Sequence, residues 1–387
     1  MPLNINAALY GRHAETDEIF RRFAAGKNLL MLGPRRLGKT FVLERLEERA
    51  ESKGYCAIRF DVSHCQDESK FFTKLCDAIT AKRGPGDNLM DGLKQKVSQL
   101  WGGSATTTSS WYQAALNTNW ESFAEQLITA LAEDKEHEWL LLMDELPVFL
   151  LHLQEKSNGL AQAKSISYRL RAYREAFPRL HWLITGSIGI APLARQGDYF
   201  GAFNNLEPFE LMPLSPEAAT ALIHDWARAG LLEHRHMISD YEAEAIIEAT
   251  GWLSAYYLEA LTKQLQGEPA SNAETAQLRI NEARTRLLQP ANRNYFTSWS
   301  EHISKNFPEP KRGRLLTLLT ALSEHVSGLT TDTLLTKLDE PNISRQDCQR
   351  LLNTLEEDGY IITDHDNERH RFRMELLRLW WQRYLPE

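Results

Sequence analysis

The stretch Asn28–Thr40 reads NLLMLGPRRLGKT and passes from a short apolar run into a glycine-bounded loop. The helical pattern FVLERLEERA follows at once. Residues Gly33–Thr40 match G-x-x-x-x-G-K-[ST], which binds phosphate when a buried strand precedes it and a helix follows. We therefore predict a phosphate-binding loop here. The alternative is a glycine turn that binds nothing.

Each residue type in this loop has a chemical reason. Gly33 and Gly38 let the backbone curl, so that successive N–H groups point inward, and the helix start adds its unpaired amides. Lys39 supplies a positive charge for the β- and γ-phosphates, and the Thr40 hydroxyl ligates Mg²⁺. The predicted nucleotide-binding residues between the two glycines are Pro34, Arg35, Arg36 and Leu37.

A second informative stretch, WLLLMDELPVFL, covers Trp139–Leu150. A run this apolar indicates a strand covered on both faces of a parallel sheet, and such sheets bind ligands at the carboxyl ends of their strands. We predict that Asp144 holds Mg²⁺, directly or through water, and that Glu145 is the base that orients the attacking water. The acidic pair is a weak signal alone and a strong one beside the phosphate loop.

A third apolar run, HWLITGS at residues 181–187, ends in small hydroxyl side chains. We predict that Thr185 or Ser187 hydrogen-bonds the γ-phosphate or the lytic water. Arg195 follows in a loop and is a candidate arginine finger, with an ordinary surface arginine as the alternative. A helix is predicted over 165–177. Its three arginines are expected on a solvated face, with a trans-acting arginine as the alternative: Arg169, Arg171 and Arg174.

The pattern of the chain predicts three regions. Residues 1–210 form an α/β core with an insertion and a mobile surface loop at 84–118, and residues 211–305 form a helical lid. The tryptophans and tyrosine near the insertion are read as anchors rather than as an interaction face. Residues 311–387 contain three helices and a hairpin, the pattern of a winged helix.

The predicted winged helix leaves two kinds of partner open. Its recognition helix would offer Arg345, Gln346, Gln349, Arg350 and Asn353, and its wing Arg369 and Arg371. Residues 311–387 nevertheless carry 11 Lys and Arg against 13 Asp and Glu, whereas a DNA-binding domain is expected to carry a basic face. Contact with DNA and contact with a protein both remain open.

Composition excludes several classes of protein. The 387-residue chain has 44 basic and 52 acidic residues, a net charge of −8, so no global charge attracts it to nucleic acid or acidic lipid. No signal-peptide layout is visible, and no apolar run reaches about 18 residues. We expect a cytoplasmic protein without membrane contact. The four cysteines lack zinc-site spacing and are expected to be buried thiols.

These pieces resemble the archaeal-type ATPase family, in the signal-transduction (STAND) branch of P-loop ATPases and related to the AAA+ initiators. The stretches that carry the resemblance are Tyr10-Gly11-Arg12, Gly33–Thr40, Leu141–Glu145, Ile184–Ser187, Met212–Ser215 and Phe372–Trp381. The family implies ATP or ADP with Mg²⁺, an α/β parallel-sheet core of the ASCE type, a helical lid and a winged helix.

The resemblance also makes specific structural expectations. The strand carrying Asp144 should lie between the phosphate-loop strand and the strand ending at Ser187. Gly11 and Arg12 should form a lip on the adenine side, the alternative being a turn in which Arg12 is a surface residue. The chain departs from the family pattern at two places. The turn Thr250–Ser254 reads TGWLS instead of Thr-Gly-Gly-x-Pro, and Glu375 replaces the usual aspartate.

Three functions are weighed on this basis. The first is an ATP-driven switch whose nucleotide state controls the docking of the winged helix to a protein partner or to the chain itself. The second is a DNA-handling ATPase of initiator or transposition-loader type. The third is a module that holds nucleotide without hydrolysing it, which the presence of Glu145 argues against.

Overall fold

The computed structural model describes residues 10–83, 88–101, 111–187, 189–230, 232 and 236–384. The loop predicted at 102–110 lies outside these residues. The chain divides into two compact units. The first, called the sheet unit, comprises Ala14–Leu32 and the described part of Lys39–Leu211; the second, called the helical unit, comprises residues 10–13, Gly33–Gly38 and 212–384.

The sheet unit alternates strands and helices. Its elements in chain order are α1 His13–Ala24, β1 Asn28–Leu32, α2 Lys39–Ala50, β2 Tyr55–Asp61, α3 Glu68–Arg83, α4 Asn88–Trp101, α5 Trp111–Glu133, β3 Glu138–Asp144, α6 Leu146–Gln154, α7 Gly159–Ala176, β4 Leu180–Gly186, α8 Ile190–Gln196 and β5 Leu206–Pro208. The five strands pair in parallel in the order β2-β3-β4-β1-β5.

This strand order corrects one expectation. The strand ending beside Ser187 is β4, and it lies between β3, which carries Asp144, and β1, which leads into the phosphate loop. Residues Met143 and Ile184 are register partners, as are Leu32 and Gly186. The physical consequence is that the hydroxyl-bearing end of β4 directly flanks Asp144. The predicted order, with β3 in the middle, is wrong.

The two strands at the centre of this arrangement are apolar because both of their faces are covered. Every residue of β4 is buried, and in β3 only Glu138 is not. Trp139 and Trp182 are fully buried in the core that the helices build against the sheet. Continuous hydrophobic runs are typical of parallel strands packed between helices, which is why the two sequence runs predicted them.

Side chains near the predicted insertion anchor it to the core. Trp111 and Tyr112 are buried, and Trp120 stacks on Phe72 at a ring-centroid distance of 5.8 Å. The four cysteines are likewise buried free thiols, and burial raises the pKa of Cys65 to about 11, so at neutral pH the nucleophilic thiolate is scarce.

Of the three arginines of α7, Arg169 and Arg171 are partly exposed, and only Arg174 is buried instead of lying on a solvated face as expected. Arg174 is 4% exposed and donates to the Ala202 carbonyl at 2.7 Å and to Asn205 Oδ1. Burial lowers the pKa of Arg174 to about 10. Arg171 donates to the Gly201 carbonyl at 2.7 Å. Within the sheet unit, these two guanidinium groups join α7 to the segment that follows α8.

The helical unit contains only short strands. Its elements are α9 Pro216–Arg228, α10 Asp240–Thr250, α11 Ala255–Thr262, α12 Ala273–Leu287, α13 Asn294–Asn306, α14 Lys311–Ser323, β6 Leu329–Thr330, α15 Thr331–Leu338, α16 Arg345–Glu357, β7 Ile361–Asp364, β8 Arg369–Phe372 and α17 Glu375–Tyr384. The strands form an antiparallel sheet in the order β6-β8-β7. Helices α14 to α16 with this sheet follow the order of elements that the sequence predicted.

Candidate functional site

Asp144 lies at the carboxyl end of β3, where two hydroxyl groups converge on it. Thr40 Oγ1 donates to Asp144 Oδ2 at 2.8 Å, and Thr185 Oγ1 donates to Asp144 Oδ1. The Asp144 residue is only 6% exposed. A buried carboxylate needs such donors. The structure thus brings together three predicted site residues that are far apart in the sequence: Thr40, Asp144 and Thr185.

Glu145 is held in an unusual backbone conformation directly after β3. Its φ of 61° places it in the left-handed region, and it is the N-cap residue that directly precedes helix α6. One carboxylate oxygen, Oε2, accepts from both the backbone N–H and the hydroxyl of Ser187, each at 2.9 Å. A non-glycine residue in this region costs of order 1 kcal/mol or more and persists only when its surroundings impose it.

Gly186 is one of the surroundings that fix Glu145. A Cβ atom at Gly186 would lie 2.5 Å from Cγ and 2.6 Å from Cδ of Pro147, in the first turn of α6. Only a glycine lets that turn approach the end of β4 so closely. The Thr-Gly-Ser end of β4 therefore positions both acids: Thr185 contacts Asp144, Gly186 makes room for Pro147, and Ser187 binds Glu145.

Lys39 and Thr40 begin helix α2. Lys39 is 6% exposed. The start of a helix presents unpaired N–H groups and the positive end of the helix dipole, which favour an anion. A buried lysine at this position adds a full positive charge to the same place. The two residues that the pattern assigned to phosphate and to Mg²⁺ therefore lie at the electropositive end of the helix.

The loop Gly33–Gly38 belongs to the helical unit. Arg12, 6% exposed, donates to the carbonyls of Met212 at 2.8 Å and Leu37 at 3.3 Å. The reading of Arg12 as a surface residue is therefore wrong. Its buried guanidinium fixes the end of the loop. The role of Gly11 and Arg12 on the adenine side stays a prediction.

Two further residues contact the loop and were not predicted. Ser254 Oγ donates to the Arg36 carbonyl, and the Arg36 guanidinium lies 4.3 Å from the centre of the Tyr256 ring. Arg36 has a φ of 66° and so adopts the left-handed backbone conformation. In this conformation its carbonyl contacts Ser254 and its side chain contacts Tyr256. The TGWLS turn thus contacts the loop through Ser254. No local sequence signal marks this, because Ser254 is 218 residues away.

Arg195 lies exposed near the end of α8, with its guanidinium 5.5 Å from the centre of the Phe200 ring. Such a cation–π contact stabilises an exposed arginine by about 0.5–1 kcal/mol. The contact is compatible with the surface alternative, and the arginine-finger role stays a prediction. Glu375, the other departure from the family pattern, pairs with Arg378 at 2.7 Å.

The donor set beside α2 fits Mg²⁺ better than a metal held by protein alone. Within the described ranges no group of three or more His, Cys, Asp or Glu residues could hold a metal ion. Magnesium usually keeps several waters and binds one or two carboxylates plus substrate phosphates. The Asp144 carboxylate and the Thr40 hydroxyl supply such a partial set.

Three of the four predicted DNA-contacting arginines of the helical unit have acidic or carbonyl partners. Arg345 pairs with Asp332 at 2.7 Å and Arg350 with Asp347 at 2.9 Å. Arg369 donates to the Gly328 carbonyl at 2.7 Å. Gln349 and Asn353 hydrogen-bond each other at 2.9 Å, and Arg371 is exposed on β8. Much of the positive charge on this face is therefore locally balanced.

The parallel sheet, in which a glycine-rich loop follows β1 and an acidic pair follows β3, gives an α/β fold that matches the fold of P-loop ATPases of the AAA+ type. No protein-family model matches the sequence, and no curated protein is significantly similar to it. Over the described ranges, no helix has the length and apolar character that crossing a membrane requires.

Solved structures share this fold along nearly the whole chain. A Walker-type ATPase of Pyrococcus abyssi aligns with a TM-score of 0.64 and 14% identity, covering 99% of this chain and 98% of that one. The ORC2 protein of Aeropyrum pernix, solved as ADPNP–ADP complexes, aligns with a TM-score of 0.51 and 12% identity, covering 97% and 95%. At such identities the likeness establishes the fold alone.

Proposed function

We propose that the chain binds ATP with Mg²⁺, hydrolyses it, and acts as a nucleotide-controlled switch. The observation that carries the proposal is the hydrogen-bonded set Thr40–Asp144–Thr185 at the start of α2 and the ends of β3 and β4. Bound Mg²⁺ would neutralise the charge of the phosphate oxygens. The residues that would hold it are Thr40 and Asp144.

The remaining roles follow from the chemistry of the loop and the acid. The backbone N–H groups of Gly33–Gly38 would bind phosphate oxygens, and Lys39 would offset the β- and γ-phosphate charge. Glu145 would accept a proton from the attacking water. Ser187, now bonded to the Glu145 carboxylate, would bind the γ-phosphate or that water. Arg195 would stabilise developing charge if a phosphate comes within its reach.

A switch requires that the two nucleotide states differ in their contacts with the protein. The γ-phosphate is the group that differs, and Ser187 would respond to it. The readout would be the predicted winged helix, α14–α16 with its sheet, offered to a protein partner. The locally paired arginines of this domain favour a protein over DNA, which needs uncompensated cations.

The proposal is tested by measuring phosphate release and ATP binding for the wild type and for Glu145→Gln. We expect the variant to bind ATP as the wild type does and to lose hydrolysis by about 10²-fold or more, because general base catalysis contributes 10²–10⁴. Equal hydrolysis by both proteins would refute the role of Glu145. Failure of both proteins to bind ATP would refute the proposal as a whole.

A further inference from the structure

The turn before β7 approaches the phosphate loop without a side chain. A Cβ atom at Gly359 would lie 2.1 Å from Cγ and 2.4 Å from Cβ of Pro34. Gly359 also has a φ of 84°, which side-chain-bearing residues rarely adopt. Two independent restrictions, conformation and space, therefore require glycine at this position, and the second one is imposed by the loop.

The backbone at Gly359 is fixed from the other side by its neighbour. Tyr360 is fully buried, and its hydroxyl donates to the Trp299 carbonyl at 2.7 Å. His302 Nδ1 lies 2.9 Å from the Tyr360 hydroxyl oxygen. The Tyr360 ring packs edge-on against Trp299. A turn anchored by such a buried aromatic residue moves little, so it presents a rigid surface to Pro34.

The other loop residues have supports in the same unit. The Arg36 carbonyl accepts from Ser254 and the Leu37 carbonyl from Arg12. The charge of Arg35 acts on Tyr360, since it opposes the rise in the Tyr360 pKa that burial causes. Two loop carbonyls thus accept hydrogen bonds from side chains elsewhere in the helical unit.

We infer that Gly359 is a positioning residue for the phosphate loop, and that its bare backbone holds Pro34 so that the loop keeps one shape. The inference rests on the proposed function for its effect on nucleotide. A loop ordered in advance loses less entropy when it binds phosphate, so binding is tighter. Coupling is reciprocal: displacing the Gly359 turn weakens ATP binding, and bound ATP strengthens the contact.

The experiment compares Gly359→Ala with Gly54→Ala. Gly54 has nearly the same φ, 85°, but a Cβ atom there would meet nothing within 4 Å. Both variants carry the strain of a left-handed alanine, and only Gly359→Ala clashes with Pro34. We expect Gly359→Ala to speed amide hydrogen exchange at residues 35–38 and to weaken ATP binding about tenfold, within the usual range of coupling. Gly54→Ala should leave both unchanged.

A compensating substitution tests the contact itself. Pro34→Gly removes the atoms that an alanine at 359 would meet. In the Pro34→Gly background, Gly359→Ala should therefore weaken ATP binding by at most half as much, in free energy, as it does in the wild type. Circular dichroism and thermal unfolding check that each variant folds. Ser254→Ala covers the case in which Gly359→Ala does not fold. It removes only the hydroxyl that donates to the Arg36 carbonyl of the loop, and it should still speed exchange at residues 35–38.

The outcomes separate the inference from the proposed function. Hydrogen exchange is measured without nucleotide, so it reports the loop support even if ATP does not bind. The inference is overturned if Gly359→Ala and Gly54→Ala give the same exchange at residues 35–38, or if Gly359→Ala and Ser254→Ala both leave it unchanged. A wild type that binds no ATP, with exchange altered as expected, would refute only the proposed function.

Discussion

Thr40 Oγ1 lies 2.8 Å from Asp144 Oδ2, and this hydrogen bond joins the first turn of α2 to the end of β3 across 104 residues. The bond brings a hydroxyl and a carboxylate close enough together for one metal ion to bind both. Within the sheet unit it joins Thr40, from the end of the first motif, to Asp144 of the second, and under the proposed function each of the two would supply a metal ligand.

The first prediction concerns the metal. Asp144→Asn keeps the shape and the Thr40 contact but removes the negative charge, so we expect Mg²⁺-dependent ATP hydrolysis to fall by about 10²-fold or more, because a metal contributes several kcal/mol of charge stabilisation. Hydrolysis is measured across a Mg²⁺ titration. The matched control is Asp61→Asn at the end of neighbouring β2, paired in register with Asp144. Similar losses in both variants would contradict a specific metal role.

The second prediction concerns Ser187 and Glu145. In the structure the Ser187 hydroxyl is used by Glu145 Oε2. Ser187→Ala keeps the backbone N–H donor and removes only the hydroxyl, so folding should be nearly unchanged. The hydrolysis rate should fall about tenfold. The reason is that losing one hydrogen bond to the transition state costs about 1 kcal/mol, and about 1.4 kcal/mol corresponds to a tenfold change in rate. Single-turnover phosphate release measures it. A variant that hydrolyses at the wild-type rate would remove Ser187 from the mechanism.

Much of this site could be predicted from the sequence, because the phosphate loop and the acidic pair are local patterns. Residues Lys39, Thr40 and Asp144 needed only their neighbours to be recognised. Strand order was not predictable in this way, since no local pattern states which strands are adjacent, and β4 therefore took the place expected for β3. Ser254 and Gly359 also escaped prediction. Their contacts with the loop exist only because the chain returns to it much later.

Short elements of secondary structure escaped prediction from the sequence for a related reason. Strand β5, Leu206–Pro208, has three residues, too few to show a periodic pattern, and is identified only by pairing with β1. The burial of Arg174 was equally invisible, since its partners are the Ala202 carbonyl and Asn205. Periodicity predicted which face of α7 is apolar, but a buried arginine beside that face requires carbonyl acceptors that only the tertiary structure supplies.

The third prediction is a pH dependence of stability. His370 is 2% exposed and contacts Thr331 Oγ1 through Nε2 at 2.9 Å and Thr363 Oγ1 through Nδ1. Burial lowers its pKa; the nearby charge of Glu356 opposes this shift and that of His365 adds to it. In the unfolded chain His370 has a pKa of about 6.5. Below this pH the unfolded chain therefore binds a proton that the folded chain binds more weakly.

Stability of the helical unit should therefore be complete above about pH 6.5 and fall as the pH drops through and below that value. His370→Asn removes the titrating group, so its stability should change less over the same range. Urea unfolding of the wild type and the variant at pH 7.5 and pH 5.5 measures the difference. If both proteins lose the same free energy of unfolding, His370 is not the source of the pH dependence.

The fourth prediction concerns DNA. Arg345 is paired with Asp332 and Arg350 with Asp347. We therefore expect the protein not to bind duplex DNA in a salt-dependent way. Filter binding between 50 and 200 mM salt, with and without ATP, tests this, since several phosphate contacts would change affinity by about 10³-fold or more. A steep salt slope that Arg345→Ala and Arg350→Ala reduce would establish the DNA-handling alternative.

The most direct measurement is equilibrium binding of ATP, in the presence of Mg²⁺, to the wild type and to Lys39→Ala. Lys82→Ala serves as the control, because Lys82 is an exposed lysine near the end of α3. The account predicts that the wild type and Lys82→Ala bind ATP alike, and that Lys39→Ala binds at least tenfold more weakly, a loss of about 1.4 kcal/mol. Equal binding by all three proteins, or no binding by the wild type, would contradict it.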